Sequence, residues 1–363
     1  MLTIEQVNSQ SLMQVFRFVE FPYHLFATCP QWVPPLFTNA LQVFDRETHP
    51  LYEHSQADFF LAVRDGRDVG RIAVYAPAYE GVTEANFYLF DSINDIEVAT
   101  ALFERAFEWA RQRGMKKIIG PKGFTLLDGN GILIKGFEHP PLIESMTYNY
   151  AYYISLIEAN GFEKEGDHSS YTTPTKGERP PRLHRMADWV VQKEGLHIKR
   201  FSSMEELLPW GPRFLEAFKK AFNYPLMITR QDAFMMDYLK TRTNPRLMKV
   251  IMHGEEMVGV LLLFPNISAA LQRTRGHMNI DQLRQAIQET KRMTILGLGI
   301  IPKFQLQGVN VVFFSEIDKT IRQAGIQQLD LLWVFEGTHR MKNDLKVMGL
   351  QPTHTHRLYM RDL

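Results

Sequence analysis

Along the chain the spacing of apolar residues switches repeatedly between a period of two and a helical period, so short strands and helices alternate. "FFLAVRDGRDVGRIAVYAP", residues 59–77, is two β-rich runs broken by Asp65-Gly66, which predicts a hairpin. "NFYLF" adds a strand. Over 95–114 apolar residues recur at 98, 102, 103, 106, 107 and 110 and Gly114 closes the run, so an amphipathic helix is predicted. "KKIIGP" then predicts a short strand, "AYYISLIEANGF" at 151–162 a helix ending at Gly161, and "HSSYTT" a polar strand.

The stretch 174–195 has three prolines, a basic cluster and no core pattern before Ala187, and is expected to connect two domains. After it the succession repeats. "LHIKRFSS" predicts a strand, 204–222 a helix, "RLMKVIMHGEEMVGVLLLFP" a hairpin turning at His253-Gly254, and "RMTILGLGII" a strand. A helix from 309 to Gly325, the strand "QLDLLWVFE", a short helix stopped by Gly349 and the strand "THTHRLYMRDL" complete it. The repeat, of about 170 residues, predicts two mixed α/β units at 1–173 and 196–363.

The length of 363 residues suits two such domains. Composition narrows the function classes: 41 Lys+Arg against 40 Asp+Glu leave no net charge to steer a polyanion, so no nucleic-acid partner is expected. The single cysteine, Cys29, cannot form an internal disulfide and is expected to be a small buried apolar residue in a reducing compartment. The N-terminal segment has no signal-peptide core and no stretch has the apolar length of a membrane span, so a soluble, cytoplasmic protein without a membrane partner is expected.

The segment "GIIPKFQLQGVN", 299–310, is where chemistry is expected. A strand ending at Ile301-Pro302 feeds a turn and then a helix from Gly308, whose first amides have no intrahelical acceptor. Those donors and the helix dipole favour an anion, and Gly308 lets the backbone approach it. The alternative is a strand-to-helix turn that binds nothing. "GLG" at 297–299 is no dinucleotide fingerprint; glycine in a strand marks a bulge or a close approach.

Gln305-Leu306-Gln307-Gly308-Val309-Asn310 resembles the Q/R-x-x-G-x-G/A motif of the GCN5-related N-acetyltransferase (GNAT) superfamily, except at its last position. With "PQWVPPL", "FDRETHPLYEH", "VGRIAVY", "RGMKKIIGP" and "YNYAYYISLIEANGF", the chain looks like a bacterial tandem member of that superfamily. The resemblance implies two GNAT-like domains and an acetyl-CoA or other acyl-CoA cofactor in the second. Its diphosphate would lie on Gln305, Leu306, Gln307, Gly308, Val309 and Asn310, and its pantetheine along Leu298, Gly299, Ile300 and Ile301. A small amine acceptor would enter between the halves, beside 222–235, whose aromatics and methionines suggest an acceptor with apolar parts. The aligned loop of the first half has Asn94, Glu97 and Ala99, with Asp91 and Asp95 alongside, and such carboxylates oppose a diphosphate.

The superfamily's usual asparagine and tyrosine positions hold Thr338 and Leu345. Substitutes are Glu336 as base and Tyr359 as acid, with His339 as a second base. A non-catalytic binder of CoA or an acyl ligand is the alternative. A Fem-type aminoacyl transferase is a further one, which the balanced charge disfavours. His354 and His356 share a strand face but lack further ligands at metal spacing, and "DGNG" at 128–131 is a turn signal.

Overall fold

The computed structural model describes residues 1–79, 81–125, 127–175, 181–222, 229–347 and 350–363; Gly349, residues 176–180 of the connector and 223–228 of the expected acceptor segment fall outside these. The first half runs β1 (Leu2–Gln6), α1 (Leu12–Leu25), α2 (Phe37–Gln42), α3 (Leu51–His54), β2 (Ser55–Arg64), β3 (Arg67–Pro77), β4 (Glu84–Ser92), α4 (Ile96–Arg111), β5 (Lys117–Gly120), β6 (Ile132–Lys135), α5 (Tyr152–Ala159) and β7 (Glu163–Pro174). The second runs α6 (Pro181–Lys193), β8 (Leu196–Arg200), α7 (Met204–Leu207), α8 (Gly211–Phe222), α9 (Thr229–Arg242), β9 (Lys249–His253) and β10 (Glu256–Pro265). It continues through α10 (Ser268–Thr274), α11 (Ile280–Glu289), β11 (Arg292–Ile300), α12 (Val309–Ala324), β12 (Gln328–Phe335), α13 (His339–Val347) and β13 (Gln351–Asp362).

Local chemistry accounts for the elements. Asp65 and Gly66 have φ of 52° and 78°, the left-handed pair that a two-residue hairpin turn requires, and Arg64 pairs with Arg67. In α4 the six periodic apolar residues are all buried, and the Asp95 side chain caps the helix by accepting from the Glu97 amide at 2.9 Å. Helix α12 ends on Gly325 at φ 62°, with the Ile326 amide donating to the Ile321 carbonyl at 3.0 Å, a Schellman closure.

The strands form one sheet in the order β1-β2-β3-β4-β5-β13-β7-β12-β11-β10-β9-β8, with β6 on β13. The sequence pattern predicts a mixed sheet in each half; the two are continuous because each half lends its last strand to the other. β13 pairs with β5 of the first half, Tyr359 opposite Gly120, while β7 pairs with β12 of the second, Leu329 opposite Thr173. β7 and β13 also pair with each other, antiparallel, from Gln351↔Thr172 to Met360↔Glu163. Alternation of polar and apolar residues fixes which face of a strand is buried, not which edges it joins.

The connector is largely the helix α6. Leu183, Ala187, Val190 and Val191 pack in the second-half core with Val309, Val312 and Phe313 of α12. Their spacing is that of a helix face, which the neighbouring prolines and basic residues obscure. No described helix is long and apolar enough to cross a membrane.

Candidate active site

In both halves two parallel strands part company. β4 pairs with β5 only from Glu84–Asn86 to Lys117–Ile119, and β11 with β12 only from Arg292–Ile295 to Gln328–Leu331. A non-glycine residue in the left-handed region sits at each divergence, Leu89 at φ 49° and Trp333 at φ 54°. Such conformations cost about 1–3 kcal/mol each and persist where the surrounding structure imposes them.

The second-half splay holds the residues expected to bind the cofactor. Leu298 and Ile300 are half-buried against the α12 side of the core, where Ile301 is buried, and Leu306 is 80% exposed. Gly299 does not face open space: a Cβ there would lie 2.9 Å from Ala221 of α8, and one at Gly297 2.8 Å from the Phe218 ring, so both glycines admit a helix. Gly308 has φ 81° and caps α12, with Val190 of α6 3.0 Å from where its Cβ would be. The Gln305 side-chain amide donates to the Ile300 carbonyl, Gln307 to Lys303 and Asn310 to Asp344, so these three side chains tie the turn to its own surroundings. The first-turn backbone amides of Val309 and Asn310 have no intrahelical acceptor. In the first half the equivalent helix start is taken: Asp95 caps α4, and Arg64 bridges Asp95 at 2.6 Å and Glu97 at 2.7 Å. Asp91 is buried and bonded to Arg71.

A loop of the first half covers the second-half splay. Leu142, Ile143 and Met146 pack on Leu332 with Leu296 and Trp333 alongside, and the Leu142 carbonyl accepts from Thr294 Oγ1 at 2.8 Å. The other side of the same loop, from Glu144 to Asn149, is one wall of a cavity of about 240 Å³ in the first half. The cavity opens where β4 leaves β5, between Tyr88, Leu89 and Phe90 and the segment at Pro121 and Phe124. Apolar side chains from the 32–43 segment, Val33, Leu36 and Val43 among them, close one side, and Phe234 and Tyr238 on α9 of the second half close another.

The wall is fastened by hydrogen bonds. Asn149 accepts from the Leu133 amide at 2.8 Å and donates back to the Leu133 carbonyl, and Thr147 Oγ1 donates to the Gly131 carbonyl at 2.7 Å. Gly129 lies so close that a Cβ would fall 2.2 Å from the Ser145 carbonyl oxygen. The "DGNG" turn is thus clamped between the wall and β13, and its first residue, Asp128, lines the cavity.

Several ionisable groups face this space. Arg71 donates to Asp91 at 2.8 Å and to the Phe18 carbonyl at 2.9 Å, while Tyr153 donates to the other oxygen of Asp91 at 3.2 Å. Glu144 forms a buried ion pair with Arg242 at 3.1 Å, the guanidinium lying out of hydrogen-bond alignment. Burial lowers His49 to about 4, so this imidazole is neutral and its Nδ1 accepts from the Leu51 amide. Asp128 Oδ2 accepts from the Thr125 amide at 2.7 Å and from Thr125 Oγ1 at 2.9 Å. Burial nevertheless raises Asp128 to about 6, the hydrogen bonds offsetting only part of the desolvation.

The residues expected to do the chemistry sit elsewhere. Glu336 is at the exposed end of β12, paired with Lys164 at 2.6 Å, and that hydrogen bond lowers its pKa. Tyr359 is buried in the first-half core, where its hydroxyl donates to Glu158 at 3.0 Å; burial, then Glu158, pushes it to about 12. Lys164 lies between them, opposite Tyr359 in the β7–β13 pair and bonded to Glu336 by its side chain. Leu345 is a core residue, 1% exposed, and Thr338 Oγ1 donates to the Phe335 carbonyl. Asp128, Glu144, Tyr88 and Tyr238 were not legible as a group; the one local sign was the turn that carries Asp128.

No known family model matches the sequence. The chain is 25% identical to a protein named bacterial ceramide synthase from Caulobacter vibrioides, over 96% of this chain and 94% of that one. It is 24% identical to protein YghO of Escherichia coli K12, over 98% and 97% of the two chains. Among solved structures, a tandem GNAT protein from the clavulanic acid biosynthesis pathway superposes with a TM-score of 0.61 at 10% identity, covering 100% of this chain and 98% of that one. A GCN5-related N-acetyltransferase from Sphaerobacter thermophilus gives 0.54 at 13% identity, over 99% and 95%. The fold is therefore that of the GNAT acetyltransferases, laid out as in a tandem GNAT protein.

Proposed function

We propose that this protein is an N-acyltransferase that moves an acyl group from acyl-CoA to an amine carrying an apolar chain. The observation that carries the reading is the first-half cavity, largely apolar in its walls, with ionisable carboxylates inside and one wall formed by a loop whose other face packs on the second-half splay. The donor is assigned to the second half, its diphosphate on residues 305–310 and its pantetheine along Leu298 to Ile301. Of the two helix starts, only that of α12 is free of a capping carboxylate. The relative named as a ceramide synthase supports an amine of lipid character, since a ceramide is the amide of a fatty acid with a long-chain amino alcohol.

The test is incubation of the purified protein with acetyl-CoA or palmitoyl-CoA and a panel of amines, from propylamine to sphinganine, following free thiol and the amide by mass spectrometry. Amide formation rising with the amine's chain length is expected; thiol release without amide, or no turnover with any pair, overturns the reading. A second reading, a binder of CoA or an acyl ligand without turnover, draws on the buried Leu345 and the backbone-bound Thr338. Saturable acyl-CoA binding with no product across the panel would select it.

A further inference from the structure

We propose that the first-half cavity is the acceptor site for a long-chain primary amine and that Asp128 holds its ammonium and takes its proton; this rests on the acyltransferase reading above. Charge accounting within the cavity leads to Asp128. Asp91 is matched by Arg71 and Glu144 by Arg242. His49 is neutral and takes the Leu51 amide. Asp128 lines the cavity with no ion-pair cation among the described residues, and it is met only by neutral donors, the Thr125 amide and hydroxyl on Oδ2 and the Phe124 backbone beside them. An ammonium supplies the charged donor that the protein does not.

The carboxylate is held rigidly. A Cβ at Gly123 would lie 2.2 Å from the Asp128 Cβ, so the chain on both sides of the Thr125 contact is closely packed. Tyr88 on β4 and Tyr238 on α9 face it from two other elements, and burial raises both phenols, so they remain neutral hydroxyls at physiological pH. Glu144, His49, the Arg71–Asp91 pair and Tyr148, a phenol raised by burial, also line the cavity. A carboxyl raised to about 6 is ionised at neutral pH yet more basic than an exposed aspartate, which suits it to accept a proton from an ammonium. The apolar tail would lie along Val33, Leu36, Val43 and Phe234.

Asp128 takes one proton from the ammonium, and the freed lone pair forms a C–N bond to the thioester carbonyl. Collapse of the tetrahedral adduct breaks the C–S bond, the sulfur leaves as thiolate, and it takes the second proton from nitrogen. Amide and thiol result, and Asp128 returns its proton to solvent.

The experiment compares wild type, Asp128→Asn and Ala40→Phe, using dodecylamine and propylamine as acceptors from pH 5 to 9 and dodecylamine binding measured by calorimetry. Asp128→Asn is expected to cut kcat/KM for dodecylamine by about 100-fold or more and to remove the acidic limb of the profile near pH 6, with acyl-CoA affinity unchanged. Ala40→Phe, which narrows the apolar end, is expected to raise KM for dodecylamine and spare propylamine. Full turnover with an intact acidic limb in a folded Asp128→Asn protein overturns the inference while leaving the acyltransferase reading standing. If wild type makes no amide at all, that reading falls, and dodecylamine binding decides the site separately: about tenfold weaker binding by Asp128→Asn upholds it, equal binding overturns it.

Discussion

His168 on β7 and His356 on β13 stack across the exchanged strand pair, with ring centroids 5.6 Å apart and planes 10° from parallel. His354 continues the row at 6.3 Å from His356. The Thr147 carbonyl accepts from His356 Nε2 at 2.9 Å, which fixes that tautomer, whereas neither buried ring nitrogen of His168 makes an aligned hydrogen bond, the Asn130 backbone lying close beside it. Burial, the largest cause in each case, lowers His168 and His354 to about 4 and His356 to about 3.

The consequence is acid sensitivity. The unfolded chain, with histidines near 6.5, binds protons before the folded one, so this contribution to stability is complete above about pH 6.5 and lost as pH falls toward 4. One unit of depression is worth about 1.4 kcal/mol, so each histidine of the row, which must take up a proton against burial, removes stability on acidification. His168→Phe, which removes two buried ring nitrogens, is expected to lower the acid midpoint and to leave stability at pH 7.5 equal or higher. Urea unfolding at pH 7.5 and 5 checks this.

Exchange of the last strands makes the halves interdependent. Residues 1–175 expressed alone would leave the facing edges of β5 and β7 without β13, and long unpaired edges aggregate. The fragment is expected in the insoluble fraction, and co-expression with 176–363 is expected to return both to solution. A soluble, cooperatively melting fragment on its own would contradict the role assigned to β13.

Asp330 is fully buried and is held by Arg292, whose Nε lies 2.5 Å from its Oδ2, and by Thr172 at 2.6 Å. Arg292→Met strands that carboxylate, and removing one partner of a buried pair costs about 3–5 kcal/mol. Because Asn266 joins the Leu142 loop to this carboxylate, the variant should also loosen the cavity wall. A lowered urea midpoint together with faster amide exchange at 142–146 is the expected result.

Gly308 tests the donor site. Asp at 308 sets a negative charge against the proposed diphosphate and strains a residue at φ 81°. Acyl-CoA affinity, measured by calorimetry, is expected to fall tenfold or more in Gly308→Asp and to be unaffected by Glu97→Lys at the start of α4. Equal binding by Gly308→Asp would move the donor elsewhere.

The sequence by itself determined the elements and their order: the Asp65-Gly66 hairpin, the α4 face and the glycine cap of α12 follow from periodicity and turn residues, while the tandem GNAT layout came from a resemblance to that superfamily. These are local properties, fixed by backbone conformation and by which side of a segment is apolar. Only the tertiary structure decided which strands share an edge and which side chains meet. Asp128, Glu144 and Tyr238 come from a turn, a loop and a helix of the other half, and they line one cavity only in the folded chain. Glu336 and Tyr359 stood at promising positions in the chain, but an exposed lysine pair holds one and a buried glutamate the other. A carboxylate's chemistry is set by how much water and which charges surround it, and those neighbours come from segments far apart in sequence.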